Sequence, residues 1–173
     1  MTLNPALPMP AFTLAPIRPA LLILIGSGGL LLGALGFQHI GNLPPCAMCY
    51  WQRYGHIAAL GIAWLALWPM PPAVRRAILT LGGLALLATA GIALYHVGVE
   101  WKWWPGPQSC TTGSGFGGTI DELKRRIMQT PIVRCDAIVW QMWGLTMAGW
   151  NGLISLLLGV GALSLTWAGA GRT

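Results

Sequence analysis

Charged residues leave four long gaps along the chain. There are 19 uncharged residues between Arg18 and Gln38, 21 between Arg53 and Arg75 and 19 between Arg76 and His96, and no charged residue stands between Asp136 and Arg172. Each gap can cross a hydrocarbon core of about 30 Å as a helix, which takes roughly 20 residues. The pattern predicts an all-α membrane protein: a bundle of four transmembrane helices over about 19–38, 50–69, 75–97 and 142–167, in one domain covering 18–173. The first run exceeds the roughly 7 to 15 apolar residues of a secretory signal and lacks a clean small-residue cleavage site, so it is read as a retained helix. Residues 1–17, with Pro5, Pro8, Pro10 and Pro16, have neither helical period nor charge and read as a disordered, Pro-rich tail.

Small residues recur at helical spacing within the runs. Gly29 and Gly33, and Ser155 and Gly159, stand four apart, a spacing that lets helix backbones approach closely in lipid. The second run closes at Trp68-Pro69-Met70-Pro71-Pro72, where prolines cannot continue a helix. Two loops emerge on the opposite side, from His39 to about Cys46 and from about Val97 to Arg134. The second contains the glycine-rich TTGSGFGG and then Thr119-Ile120-Asp121-Glu122, which has the form of a capping box. Ile120, Leu123, Ile127 and Met128 share one stripe, which predicts a short amphipathic helix lying on the membrane surface. The alternative is a loop helix packed on its own domain.

Composition agrees with a membrane protein: 55% of the 173 residues are hydrophobic, 8% are charged, and the mean hydropathy is +0.63. The net charge of +6 does not point to nucleic acid, because the basic residues are scattered and most border apolar runs. Lipid is the expected surrounding. Arg18, Arg75, Arg76 and Arg172 fall on one side, which points that side to the cytoplasm. Arg53 and five basic residues of the long loop outnumber them, but Lys124, Arg125 and Arg126 lie deep in a long loop, where charge steers orientation weakly. The tryptophans at 101, 103, 104, 140, 143 and 150 lie near predicted span ends, as interface anchors do.

Cysteine chemistry sharpens the picture. Cys46 and Cys49 form a C-x-x-C at the start of the second run, and Cys110 and Cys135 flank the glycine-rich loop with 24 residues between them. A zinc site would draw on two close-spaced pairs, which the second set is not, so no metal is expected. Haem attachment needs a histidine after the second cysteine, where Tyr50 stands. Structural disulfides in an oxidising compartment remain open for Cys110 and Cys135. They suit Cys46 and Cys49 poorly, since so small a loop stabilises little. At a helix N-terminus this spacing serves redox chemistry, one cysteine as thiolate and the other resolving it. Arg53, four residues after Cys49, can stabilise a thiolate or an anionic acceptor, and a bilayer-soluble electron acceptor is the natural counterpart.

PCAMCYWQR, YHVGVEWKWWPGPQSC, VRCD and GLTMAGWN together resemble the DsbB family of membrane disulfide-generating oxidoreductases. The resemblance covers nearly all the chain after the leader. It implies a relay in which a thioredoxin-fold thiol oxidase of the DsbA type attacks the Cys110–Cys135 disulfide, with Cys110 forming the mixed disulfide. Electrons then pass to Cys46 and Cys49 and on to ubiquinone or menaquinone beside Cys49 and Arg53. It implies a bacterial inner membrane with the cysteine loops in the periplasm. His96 stands near the end of the third run, where it can hydrogen-bond a quinone carbonyl or satisfy a helix terminus. Asp136 reads as a solvated charge or helix cap. The competing readings are a vitamin K epoxide reductase-like enzyme, which normally carries its C-x-x-C late in the chain, and a membrane scaffold with structural disulfides.

Overall fold

The computed structural model describes residues 17–107, 119 and 133–168. The Pro-rich leader apart from Ile17, Cys110, the TTGSGFGG segment and the amphipathic stretch Ile120–Met128 lie outside the described residues. Four helices make the body: α1 (Arg18–His39), α2 (Ala47–Leu65), α3 (Pro72–Glu100) and α4 (Met147–Ala168). α1, α3 and α4 are long and apolar enough to cross a membrane. α2, with 19 residues, carries Gln52, Arg53 and His56 in its first half and is the most polar of the four.

Local chemistry accounts for the boundaries. Pro71 and Pro72 lead into α3, where a missing N–H costs nothing and a fixed φ favours the first turn. At about 1.5 Å per residue its 29 residues extend about 43 Å, so the helix overruns a hydrocarbon core by several residues. Helix α4 begins at Met147, later than the apolar run suggests, because a small hairpin precedes it. β1 (Gln141–Met142) pairs antiparallel with β2 (Leu145–Thr146), and Trp143 (φ 53°) and Gly144 (φ 77°) make the left-handed two-residue turn. The Thr146 hydroxyl then accepts from Gly149 N–H at 3.1 Å and caps α4.

The most extensive helix contact joins α3 to α4, followed by α2 with α3; α1 packs on α2 and α4. A Cβ added to Gly83 would lie 2.8 Å from Leu163, and one on Gly159 would lie 2.8 Å from Leu87 and 3.1 Å from the Gly83 carbonyl. α3 and α4 thus meet backbone to backbone at this pair. Ser155 and Gly159 serve the packing role their spacing suggests, but Gly29 and Gly33 do not: an added Cβ at either meets nothing within 4 Å. Those two glycines border a cavity instead. The apolar core gathers Ala20, Ile23, Ala59, Ala63, Leu79, Leu86 and Ala162. Leu32, Ile25, Leu94, Leu157 and Trp167 stay exposed, as lipid-facing side chains do.

Candidate functional site

Cys46 is the N-cap of α2. Its backbone is extended and its sulfur accepts from Cys49 N–H at 3.4 Å, filling the place a serine or aspartate side chain often takes. The two sulfurs lie 3.2 Å apart as free thiols, with Cys46 as acceptor when it is the thiolate. From α3, His96 Nε2 approaches Cys46 Sγ at 3.6 Å. Cys46 stands ahead of α2 and outside its span. The Cys49 thiol, then the His96 ring and the Cys49 N–H, hold its pKa down to about 4 against the opposing effect of burial.

An acid whose folded value lies below its ordinary value of 9.0 adds stability above the ordinary value and loses it as pH falls through the folded one. Reduced protein is therefore expected to lose stability relative to the disulfide form as pH drops from about 9 toward about 4. Paired denaturation series on the two redox forms check this, and a pH-independent difference would contradict the thiolate assignment. Cys49→Ala should also raise the titration midpoint of Cys46, read as thiolate absorbance.

α2 buries one stripe, Met48, Gln52, His56, Ala59 and Ala63. Two of those positions are polar, and they start a chain of side chains across the bundle. Gln52 Nε2 donates to His96 Nδ1 (2.9 Å), Asn151 Nδ2 donates to Gln52 Oε1 (2.7 Å), and His56 Nε2 donates to Asn151 Oδ1 (3.0 Å). The Ser27 hydroxyl closes the chain on His56 Nδ1 at 3.2 Å, and Ser155 Oγ lies 3.3 Å from His56 Nε2. The direction is consistent throughout: an amide N–H faces His96 Nδ1, so the ring proton sits on Nε2 and points at Cys46.

This direction bears on metal binding. Ligand atoms of Cys46, Cys49 and His96 all lie within 4.8 Å of one another. A ligating histidine needs its metal-side nitrogen bare and its other N–H donated outward. Here the outer nitrogen accepts from Gln52 Nε2, the reverse of that arrangement.

Arg53 points elsewhere. Its guanidinium donates to Gln38 Oε1 at 2.5 Å and to the Ala34 carbonyl at 3.1 Å, both on α1, and stands 5.5 Å over the Tyr50 ring. Among the described residues its hydrogen bonds go to α1 and do not reach sulfur. Its Nε is buried without a hydrogen-bond partner among the described residues, and the residue lines a largely apolar cavity of about 460 Å³. Cys49, Gln52, His56, Trp140 and Asn151 share that wall, while Gly29 and Gly33 leave room on the α1 side. His96 is not among the lining residues; it faces Cys46 and Gln52 instead.

Cys135 is disulfide-bonded and 1% exposed, and packs with Cys46, Met48 and Val99. The fold thus brings Cys135 against Cys46, although the two stand 89 positions apart in sequence. Cys110 lies outside the described residues. Asp136 forms a two-bond pair with Arg134, at 2.8 and 2.6 Å, which holds its carboxyl below the usual range. His56, Asn151 and Glu100 were not singled out from sequence. A histidine and an asparagine inside otherwise apolar runs were the available signal for the first two.

Fold and site define a helical membrane protein with a reduced cysteine pair at a helix N-terminus, beside an apolar cavity. The sequence profile of the family Disulfide bond formation protein DsbB matches residues 17–165. Relatives named Disulfide bond formation protein B include one from Verminephrobacter eiseniae, 33% identical over 87% of this chain and 85% of its own. One from Shewanella sp. (strain MR-4) is 36% identical over 82% and 83%, and one from Acinetobacter baumannii is 31% identical over 72% and 75%. No solved structure matches the chain. The chain belongs to the DsbB family: it is a multi-pass membrane protein of disulfide bond formation.

Proposed function

We propose that this protein is a protein-dithiol:quinone oxidoreductase. It re-oxidises a thioredoxin-fold dithiol oxidase of the DsbA type through Cys110 and Cys135, and moves the electrons through Cys46 and Cys49 to a membrane ubiquinone or menaquinone. In this reading α2 is a fourth span, both termini are cytoplasmic, and the cysteine loops face the periplasm across a bacterial inner membrane. The observation that carries it is the cavity with Cys49 in its wall beside Arg53, whose buried Nε has no hydrogen-bond partner among the described residues.

The residues fit such a ligand. A cavity of about 460 Å³ lies within the range of small-molecule sites, its lining is mainly apolar, and Arg53 Nε and Gln52 provide donors for an oxygen. A bound quinone supplies a two-electron, two-proton acceptor at membrane depth. Arg53 and Gln52 orient it, and Leu30, Phe37 and Trp140 exclude water. On the other side, His96 keeps its proton on the sulfur-facing nitrogen, so Cys46 is held as the thiolate that closes on Cys49. Cys135 packs on Cys46, so exchange between the sets needs only a short displacement.

The test is re-oxidation of a reduced thioredoxin-fold oxidase by the purified chain with quinone, followed as quinone absorbance against partner thiol content. One quinone consumed per disulfide formed supports the reading; no turnover with either quinone class overturns it. Arg53→Ala removes a charged donor worth about 1.5–3 kcal/mol, so apparent KM for quinone should rise about tenfold or more. Thiol exchange between partner and protein should keep its rate.

A further inference from the structure

Glu100 is the last residue of α3, one helical turn beyond His96 and on the same face. It is 8% exposed, and its Oε2 is buried with no hydrogen-bond partner among the described residues. Thr146, itself 1% exposed, bonds the carboxyl from the start of α4. The titratable groups within electrostatic reach are His96 on its own helix and Cys46 and Cys49 at the start of α2. Thr146 supplies only a hydroxyl. Lys102, two residues on, leaves the helix with φ 60° and forms no ion pair with Glu100 among the described residues.

A buried carboxylate oxygen without a donor is costly, and so is a second anion close to a thiolate. In this structure the cysteine pair is reduced, the Cys49 N–H and His96 Nε2 converge on Cys46 Sγ, and the Cys49 sulfur lies 3.2 Å from it. Those donors favour a bare sulfur at Cys46. Reducing a disulfide with a dithiol delivers two protons along with two electrons. One goes to Cys49; the other needs a second place.

We propose that Glu100 is that place, a proton store for the reduced Cys46–Cys49 pair. The step balances as follows. A dithiol and the Cys46–Cys49 disulfide exchange, so that the dithiol's two S–H bonds break and its own disulfide forms while the Cys46–Cys49 bond opens. Two electrons pass to the pair. One proton is bound at Cys49 Sγ and the other at the Glu100 carboxylate, leaving Cys46 as thiolate. Total charge is unchanged. The growing negative charge at Cys46 drives the proton onto Glu100, and closing the disulfide again releases both protons together with both electrons. Glu100 acts through the charge it shares with the Cys46–His96 pair and is a positioning residue for protons.

The proposal rests on the cysteine pair being redox-active, and its test separates the two. Full-length protein carrying Cys110→Ser and Cys135→Ser is equilibrated with dithiothreitol buffers across neutral pH, and the Cys46–Cys49 potential is read by thiol alkylation. A tenfold change in the equilibrium constant of a two-electron couple is about 30 mV. With Glu100 present, two protons per two electrons give a hundredfold change, about 59 mV, per pH unit. Glu100→Gln keeps the shape and the Thr146 contact and should halve the slope to about 30 mV. A slope of about 30 mV with Glu100 in place overturns the proposal. A two-proton slope that survives Glu100→Gln also overturns it, and assigns the proton to His96 or to Cys46. Loss of any reversible potential would instead count against the redox reading itself. Reduced-minus-oxidised infrared spectra give an independent check: a protonated-carboxyl band should grow on reduction and be missing in Glu100→Gln.

Discussion

Cys49→Ser is expected to abolish quinone-linked turnover while leaving the bundle folded. The substitution loses a sulfur that lies 3.2 Å from its partner and lines the cavity wall. Serine has nearly the same volume and keeps an O–H donor toward Cys46, so packing around Met48 and Val99 is retained. What disappears is the bond that stores the electron pair. Removing a group that itself forms the reacting bond costs more than about a thousandfold in rate. Quinone reduction by reduced partner should fall to background in Cys49→Ser and in Cys46→Ser, with unchanged helical circular dichroism and thermal midpoint. Residual turnover above a hundredth of wild type would show that electrons reach the acceptor without this pair.

The second large effect separates two glycines that look alike in sequence. Gly159→Leu drives a side chain into Leu87 and toward the Gly83 carbonyl, at the closest approach of α3 and α4. Backbone cannot give way as a side chain can, so the loss should be at least about 1–3 kcal/mol, seen as a lower thermal midpoint and poor recovery of folded protein. Gly33→Leu should do the reverse. An added Cβ there meets nothing within 4 Å, and leucine is a better helix former than glycine. Stability should hold or rise slightly while the side chain occupies part of the cavity of about 460 Å³. Apparent quinone affinity should drop roughly tenfold or more, with thiol exchange unaffected. Equal destabilisation by the two substitutions would mean that the cavity is not open space.

Much of the site was legible because it is local. Cys46 sits directly before a helix, Cys49 one turn into it and Arg53 one turn further, and these neighbouring residues are enough to read a cysteine pair at a helix start. His96 was legible as a residue of interest but not in its role. Its partners are Cys46, 50 residues away, and Gln52, 44 away, and only the crossing of α2 and α3 sets which nitrogen meets which atom. Glu100 read as one of four acids in a loop, because α3 runs on to Glu100, past the predicted end of the third span.

The sequence by itself determined the membrane class, the four helices and the cysteine pair at a helix start. Apolar run length, proline placement and capping act over a few residues and need no partner. Tertiary structure decided which small residues pack and which leave a void, where Arg53 reaches, and how Ser27, His56, Asn151, Gln52 and His96 join into one chain ending at Cys46. Those outcomes depend on the rotation and axial offset of each helix against its neighbours. A shift of one residue turns a side chain about 100° around the axis, so the facing partners follow only once the helices are assembled.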